Sequence, residues 1–296
     1  MLPHDALTPA VKPPTDIGDH NKAIEACLME LTDKVIEKAH KKIEKEYNPT
    51  TGEKPKPYHN LAHTREVEKR MEALLDHPLL ETILNSFSPD QWKYLQNYDL
   101  NTKPRIIRRL ARLMASTHDV VVDNDPVHTN GINETSSGAW VEMEMNGESD
   151  HPARPNEMET VKNGILATIT RLEGKGTDRY LAQQAPAVNP ESIAVDINGL
   201  LARMLCDADL GALGSEWNVY WNNTKKLFKE TMPTGTLENW KKLLELQIPI
   251  LKNHAYYTPM AEALWSRIQR ERNATQVQTI LASGEELQKT YEEVMG

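Results

Sequence analysis

The sequence predicts an all-α fold. Apolar residues recur at spacings of three and four along most of the 296 residues, as they do on the buried face of a helix. The longest stretch that resembles a strand is residues 120–122, and the chain contains no internal repeat. Its length is ample for a large hydrophobic core. We therefore expect a single helical domain over residues 20–296, with the functional motifs within about 55–215.

The N-terminal part is predicted to be a loose lead-in followed by a long helix. Residues 1–19 are rich in Pro, Asp and Thr, a composition typical of an unpacked terminus. Residues 20–47 have one apolar helical face, formed by Ile24, Leu28, Leu31, Val35, Ile36, Ala39 and Ile43. A segment with Pro, Thr and Gly follows at residues 48–52 and ends this helix.

A second helix is predicted over residues 58–77, and two histidines stand near its start. Its apolar face is formed by Val67, Met71, Leu74 and Leu75. His59 and His63 are four residues apart, so on a helix both imidazoles lie on one face and converge on one site. Considered alone, this spacing also fits two ordinary surface histidines.

Residues 104–117 predict a helix that ends at an imidazole next to a carboxylate. Its apolar face is formed by Ile106, Ile107, Leu110, Leu113 and Met114. The opposite face is basic and is expected to be solvated, and it is formed by Arg105, Arg108, Arg109 and Arg112. One or two short helices precede it, at residues 79–101. His118 and Asp119 follow it, and Asp123 comes four residues later. Imidazole nitrogen and carboxylate oxygen are ligands for borderline divalent cations.

The second half of the chain predicts more helices and two polar insertions, at residues 146–158 and 173–191. A polar loop before the first insertion contains Glu134. The helices are expected at residues 161–172, 192–206, 217–229, 237–246, 259–280 and 285–294. Asp207 and Asp209 follow the second of these helices, so further carboxylates arrive at a helix end.

Composition and charge narrow the classes of partner. The net charge of −9 argues against an extended nucleic-acid surface, because binding to a phosphate backbone depends on many Lys and Arg contacts. The same net charge is compatible with a small phosphorylated ligand bound in a local pocket. Cys27 and Cys206 are expected to be free thiols. No apolar run approaches the roughly 18 residues that span a bilayer, and residues 1–19 lack a signal-peptide pattern, so we expect no membrane partner and a cytoplasmic location.

Three short motifs, in this order, resemble the HD superfamily of metal-dependent phosphohydrolases. They are Tyr58-His59-Asn60 with His63, then His118-Asp119, then Ala208-Asp209-Leu210. The first is similar to the helix that opens the site of cyclic-nucleotide phosphodiesterases. Further motifs are similar to a predicted metal-dependent phosphohydrolase branch of the superfamily: Asn133-Glu134 with Ser136-Ser137, the run from Ala208 to Gly214, Tyr256-Tyr257-Thr258 and Arg272-Asn273. The resemblance covers roughly residues 55–280 and implies an HD-type helical bundle with extra C-terminal helices.

The resemblance also implies roles for individual residues. The implied metal ligands are His63, His118, Asp119 and Asp209. Asp207 is the rival for the last position, and Asp209 is preferred because its Ala and Leu neighbours fit the motif. The implied catalytic residues are His59, which protonates the leaving oxygen, Asp123, which assists catalysis, and Glu134, which holds a water or a ligand group.

This set of residues predicts a metal-dependent phosphohydrolase that acts on a small phosphorylated metabolite, with a nucleotide as the expected substrate. Two imidazoles and two carboxylates suit Mn, Fe, Co, Ni or Zn better than Mg. One ion is expected, and a second one held through Asp119 stays open. Lys56 and Arg65, which flank the first motif, are predicted to bind the phosphates of the substrate. Phosphomonoesterase, pyrophosphohydrolase and phosphodiesterase activity all fit this chemistry.

Two other functions stay open at this point. The same superfamily includes diiron oxygenases, which need additional histidines, and His128 and His151 are the candidates in this chain. The alternative is a protein that senses a nucleotide without cleaving it, although such proteins often lose ligand residues that this chain retains. A homo-oligomer also stays open.

Overall fold

The structure is a computed structural model that describes residues 17–123, 131–147, 155–184 and 196–296. These residues form twelve α-helices and one short β-hairpin, which confirms the all-α class. The helices are α1 (Ile17–Tyr47), α2 (Leu61–Leu75), α3 (Pro78–Asn85), α4 (Lys103–Thr117), α5 (Ile132–Gly147), α6 (Pro155–Ala167), α7 (Ile197–Leu210), α8 (Trp217–Thr231), α9 (Leu237–Asn253), α10 (Pro259–Leu264), α11 (Arg267–Ala282) and α12 (Gly284–Met295). The remaining elements are the strands β1 (Thr170–Glu173) and β2 (Tyr180–Gln183) and 3₁₀ helices at Pro89–Leu95, Gly176–Asp178 and Gly211–Gly214.

Two hydrophobic cores hold these helices together. The larger core lies among α1, α2, α4, α5, α6, α7 and α10, and Met71, Leu110 and Leu205 are fully buried in it. The second core lies among α8, α9, α11 and α12, where Phe228 and Trp240 pack edge to face with ring centroids 5.0 Å apart. The helices that carry the predicted ligands, α2, α4 and α7, all pack in the first core.

The start of α2 differs from the prediction. The side chain of Asn60 caps the helix by accepting hydrogen bonds from the backbone N–H groups of Ala62 and His63. This cap starts the helix at Leu61, because its side chain satisfies N–H groups that have no partner within the helix. His59 therefore lies before the helix, and the prediction that His59 and His63 share one helical face is wrong.

The basic face of α4 is only partly solvated. Arg105, Arg108 and Arg112 are exposed, as predicted, but Arg109 retains only 9% of its accessible surface. Its guanidinium makes a bidentate ion pair with Asp33 on α1, at 2.5 and 2.9 Å. This pairing allows a charged residue to lie under the edge of the core.

The largest departure from the predicted elements is the β-hairpin. The helix predicted over residues 161–172 ends at Ala167, and β1 then pairs with β2 in antiparallel register from Thr170 opposite Gln183 to Glu173 opposite Tyr180. Strands of four residues are too short to produce a visible alternation in sequence. Several helix bounds also differ: α1 begins at Ile17, within the predicted lead-in, α7 and α9 extend to Leu210 and Asn253, and the predicted 259–280 helix is broken after Leu264.

Several sequence-based predictions lie outside the described residues. These are the lead-in as far as residue 16, residues 124–130 of the loop predicted after Asp123, parts of both insertions, and the two candidate oxygenase ligands His128 and His151. The prediction that Glu134 lies in this loop is wrong, because α5 begins at Ile132 and Glu134 is in its first turn. Within the described ranges, no helix is both long and apolar enough to cross a bilayer.

Candidate metal centre

The two histidines of the predicted ligand set lie at neighbouring helix ends. His63 is in the first turn of α2, and His118 directly follows α4. Both side chains are buried, with 4% and 1% of their residue surface exposed, and their ring centroids are 5.5 Å apart. Since α2 and α4 pack against each other in the first core, their apolar faces set this spacing.

Asp119 and Asp209 complete the cluster. Nε2 of His118 lies 3.1 Å from Oδ2 of Asp119 and 3.8 Å from Oδ1 of Asp209. Nε2 of His63 lies 3.3 and 3.6 Å from the same two oxygens. The structure therefore brings together all four residues that the motifs nominated, and ligand atoms of His63, His118 and Asp209 lie within 4.8 Å of one another.

The imidazole nitrogens are directed in a way that suits a cation. Nδ1 of His118 lies 2.9 Å from the carbonyl oxygen of Ala115, so this nitrogen carries a hydrogen and donates it. Nε2 of His118 and both ring nitrogens of His63 are buried and make no hydrogen bond to the described residues. Buried polar atoms without a partner are costly. A divalent cation bound to these nitrogens and to the two carboxylates would remove that cost, so the donor set fits such an ion.

The local charges favour positive charge at the same point. Burial lowers the pKa of His118, but the carboxylates of Asp119 and Asp209 outweigh burial and raise this pKa to about 9. Burial raises the pKa of Asp119, but the nearby His118 and His63 outweigh it and hold this pKa well below its usual range. The two carboxylates thus stabilise either a proton or a cation between the imidazoles.

Asp207 points to a different part of the molecule. Its carboxylate accepts hydrogen bonds from the backbone N–H of Tyr257 at 2.7 Å, the backbone N–H of Thr258 at 2.8 Å and the hydroxyl of Thr258 at 2.7 Å. Burial raises the pKa of Asp207 to about 7, although these hydrogen bonds oppose the shift. Its oxygens are used to hold the turn before α10, so the geometry favours Asp209 as the ligand.

Gln183 orients Asp209, and the sequence offered no indication of this. Its side-chain Nε2 donates to Oδ2 of Asp209 at 3.0 Å, while Oδ1 faces the histidines. Gln183 is the last residue of β2, and the hydroxyl of Tyr257 fixes its backbone through hydrogen bonds with its N–H and C=O. The hairpin therefore contributes directly to the candidate centre.

Glu230 holds His59 beside the cluster. Its Oε1 lies 2.6 Å from Nδ1 of His59, and its Oε2 accepts from the backbone N–H groups of Tyr58 and His59 at 2.8 and 2.9 Å. Burial lowers the pKa of His59, but Glu230 and the carboxylates of the cluster outweigh burial and raise it. Burial also opposes ionisation of Glu230, yet His59 lowers the pKa of Glu230 to about 2. Glu230 thus favours the protonated form of His59, and the rings of His59 and His63 lie 5.7 Å apart.

One of the remaining predicted residues lies close enough to the cluster to sense its charge. Glu134 is half-buried, and burial together with the negative charges of Asp119 and Asp209 raises its pKa. Lys56 is also half-buried, and burial lowers its pKa while the carboxylates of Glu230 and Asp123 oppose this shift. Glu134 therefore borders the candidate centre, and Lys56 lies near the glutamate that holds His59.

The other two predicted residues are more exposed. Asp123 lies at the end of the segment after α4, where its backbone N–H donates to Oδ1 of Asn133 at 2.9 Å. Arg65 is exposed on α2 and its guanidinium lies 3.0 Å from Oε2 of Glu68. The structure therefore gives Arg65 an intramolecular ion pair, and its predicted contact with substrate phosphate stays a prediction.

No protein-family model matches this chain, and no curated protein matches it. The functional interpretation therefore depends on the geometry and charge of the candidate centre.

Proposed function

We propose that this chain is a metal-dependent phosphohydrolase of a small phosphorylated metabolite, with nucleotides as the first substrates to test. The observation that carries the proposal is the convergence of His63, His118, Asp119 and Asp209 around imidazole nitrogens that have no other partner. The resemblance of the motifs to the HD superfamily supports the same reaction class.

Each residue around the centre has a separate role in the proposed reaction. A divalent cation in this donor set supplies Lewis acidity, which activates water and offsets the negative charge of a phosphoryl group. Glu230 favours the protonated form of His59 and raises its pKa, so His59 is placed to donate a proton to a leaving oxygen. Acid catalysis of this kind contributes roughly a hundredfold to ten-thousandfold in rate. The ammonium group of Lys56 is the nearby cation for a further phosphate oxygen.

The test is hydrolysis by protein that is stripped with a chelator and then refilled separately with Mn, Co, Ni, Zn or Mg. The substrates are nucleoside mono-, di- and triphosphates, cyclic nucleotides and guanosine tetraphosphate. We expect turnover of one substrate class with one of the metals. Replacing Asp119→Ala should remove both bound metal and turnover while leaving the helical circular dichroism unchanged, and the exposed Asp90→Ala serves as the matched control.

Two results would overturn the proposal. Turnover that persists in metal-free buffer would exclude a role for the cation. Full metal binding at the four ligands without turnover for any combination of metal and substrate would favour the nucleotide-sensing alternative. Oxygen uptake by the iron-loaded protein would favour an oxygenase.

A further inference from the structure

A cavity lies away from the candidate metal centre. It has a volume of about 1000 Å³ and lies between the end of α2, α3, the Pro89–Leu95 segment and the first half of α4. Its lining contains none of the residues of the metal centre. This volume is at the upper end of the range found for small-molecule pockets, roughly 300–1,000 Å³.

One wall of this cavity is apolar and aromatic. Leu75, Leu80 and Ile107 contribute side chains that are almost fully buried. Phe87 and Trp92 add a pair of rings in edge-to-face contact, with centroids 5.5 Å apart. Such a wall binds an aliphatic or aromatic body through burial of apolar surface.

Lys103 is the unusual residue of the cavity. It lines the cavity, retains only 8% of its accessible surface, and places its ammonium 4.7 Å from the centre of the Trp92 ring. Burial lowers its pKa, and the charge of Asp99 opposes the shift. The oxygens of Asp99 are hydrogen-bonded to Asn101 and Thr102 instead. Among the described residues, the ammonium group of Lys103 therefore has no carboxylate or hydrogen-bond partner.

Three of the four arginines that line the cavity are already paired, and the fourth, Arg112, is exposed. Arg108 bridges to Glu72 and Asp76 at 2.5 and 2.7 Å, and Arg109 is held by Asp33. Arg105 pairs with Glu25 in the same way. Lys103 is thus a buried cation whose charge is not balanced, which is costly without a counter-charge.

We propose that this cavity binds a small amphipathic molecule with a single negative charge, such as an aromatic or aliphatic carboxylic acid. The anionic group pairs with Lys103, and the apolar body packs on Trp92, Phe87 and the leucines. A single charge fits because Lys103 is a buried cation without a carboxylate partner, and the carboxylates of Glu72, Asp76 and Glu81 also line the cavity and disfavour polyanions. This inference does not depend on the proposed hydrolase activity.

The test uses two fluorescent probes that differ in one group. Anilinonaphthalene sulfonate carries one negative charge, and phenylnaphthylamine is its neutral counterpart. We expect the folded protein to bind one sulfonate per chain. Lys103→Met should weaken sulfonate binding about tenfold or more, which is the loss expected for a partly buried ion pair, and should leave the neutral probe unaffected.

Three further variants make the test specific. Lys103→Arg keeps the charge and should retain sulfonate binding, which also guards against a Met variant that folds poorly. Leu84→Trp fills the cavity from a half-buried wall position and should exclude both probes. Lys241→Met removes an exposed lysine on α9 and should change nothing. Equal affinities in wild type and Lys103→Met, or several weak sites that ignore Leu84→Trp, would overturn the proposal.

Discussion

At the level of single residues, the neighbours of His118 and Asp209 decide which of their atoms face the candidate metal centre. The carbonyl of Ala115 engages Nδ1 of His118, and the amide of Gln183 engages Oδ2 of Asp209. The remaining atoms, Nε2 and Oδ1, then point towards each other at 3.8 Å. Partners of this kind orient ligands and raise their affinity for a metal.

The contact between Gln183 and Asp209 can be tested by metal binding alone. We expect Gln183→Leu to lower the affinity for Mn or Zn about tenfold to a hundredfold, because the carboxylate of Asp209 loses the donor that orients it. Isothermal titration of the chelator-stripped protein measures this change. Gln184→Leu, at the next position, is the control, and an unchanged affinity in Gln183→Leu would contradict the assigned role.

Glu230 is expected to act on His59 without contacting a substrate. In Glu230→Gln, the imidazolium of His59 loses its carboxylate partner, so its pKa should fall. We expect kcat for the substrate that the hydrolysis experiment identifies to drop about a hundredfold, while KM and metal affinity stay nearly constant. The alkaline limb of the pH profile is the diagnostic measurement, because a general acid is active only while it is protonated. A lower pKa of His59 should move this limb to lower pH, whereas a purely structural defect would leave its position unchanged.

His254 makes stability depend on pH. The residue is 3% exposed, and burial, followed by the nearby Arg270, lowers its pKa from 6.5 to about 4. The folded protein keeps this imidazole neutral where the unfolded chain takes up a proton. The free energy of unfolding is therefore unaffected by this group above pH 6.5. As the pH falls from 6.5 to 4, it decreases by roughly 3 kcal/mol in total.

The measurement is urea unfolding at several pH values between 7.5 and 4.5, for wild type and His254→Phe. The variant should lose less stability over this interval, because the buried titrating group is gone. Parallel curves for the two proteins would show that His254 does not contribute.

At the level of elements, the junction after α7 depends on a close backbone contact. A Cβ atom on Gly214 would lie 2.5 Å from the carbonyl oxygen of Trp265, which follows α10. Backbone atoms cannot move aside as a flexible side chain does. The 3₁₀ turn at Gly211–Gly214 therefore packs directly on the α10–α11 connection, close to the helix end that carries Asp209.

We expect Gly214→Ala to destabilise the protein by about 1–3 kcal/mol, the usual cost of overpacking. Thermal and urea unfolding measure the loss. Gly284→Ala at the start of α12 is the matched control, because a Cβ there meets no atom within 4 Å and the change should be neutral or slightly stabilising. Equal stability of the two variants would show that the turn relaxes without cost.

At the level of the whole molecule, the two hydrophobic cores are connected through buried polar contacts. Arg270 of α11 donates to the carbonyl of Trp265 at 2.8 Å and lies 4.8 Å from the centre of the Tyr256 ring, and both of these partners belong to the first core. Glu230, from the helices of the second core, reaches His59 next to the first. The candidate site thus needs both cores to be folded.

This connection predicts that the chain unfolds as one unit. Far-ultraviolet circular dichroism reports all helices, and tryptophan fluorescence reports both cores, because three tryptophans lie in or against each core: Trp92, Trp140 and Trp265 in the first, and Trp217, Trp221 and Trp240 in the second. We expect the two signals to change in a single step at the same urea concentration. Two separate fluorescence transitions would show that the cores open independently.

The sequence by itself determined the helical class, most of the long helices and the identities of the clustered residues. Spacings of three and four reveal a buried helical face locally, so α1, α4, α8 and α12 were predictable within a few residues. The resemblance of three short motifs to the HD superfamily nominated His63, His118, Asp119 and Asp209, and their roles as ligands stay predictions.

Only the tertiary structure decided how these residues are oriented and what surrounds them. Gln183 meets Asp209 across 26 positions, and Glu230 meets His59 across 171 positions. Contacts over such separations form when helices pack, so no local pattern records them. The same holds for Asp207, whose oxygens are used by the turn before α10, and for the cavity around Lys103. Hydrophobic periodicity determines which face of a helix is buried, whereas the packing of several faces determines which polar atoms meet.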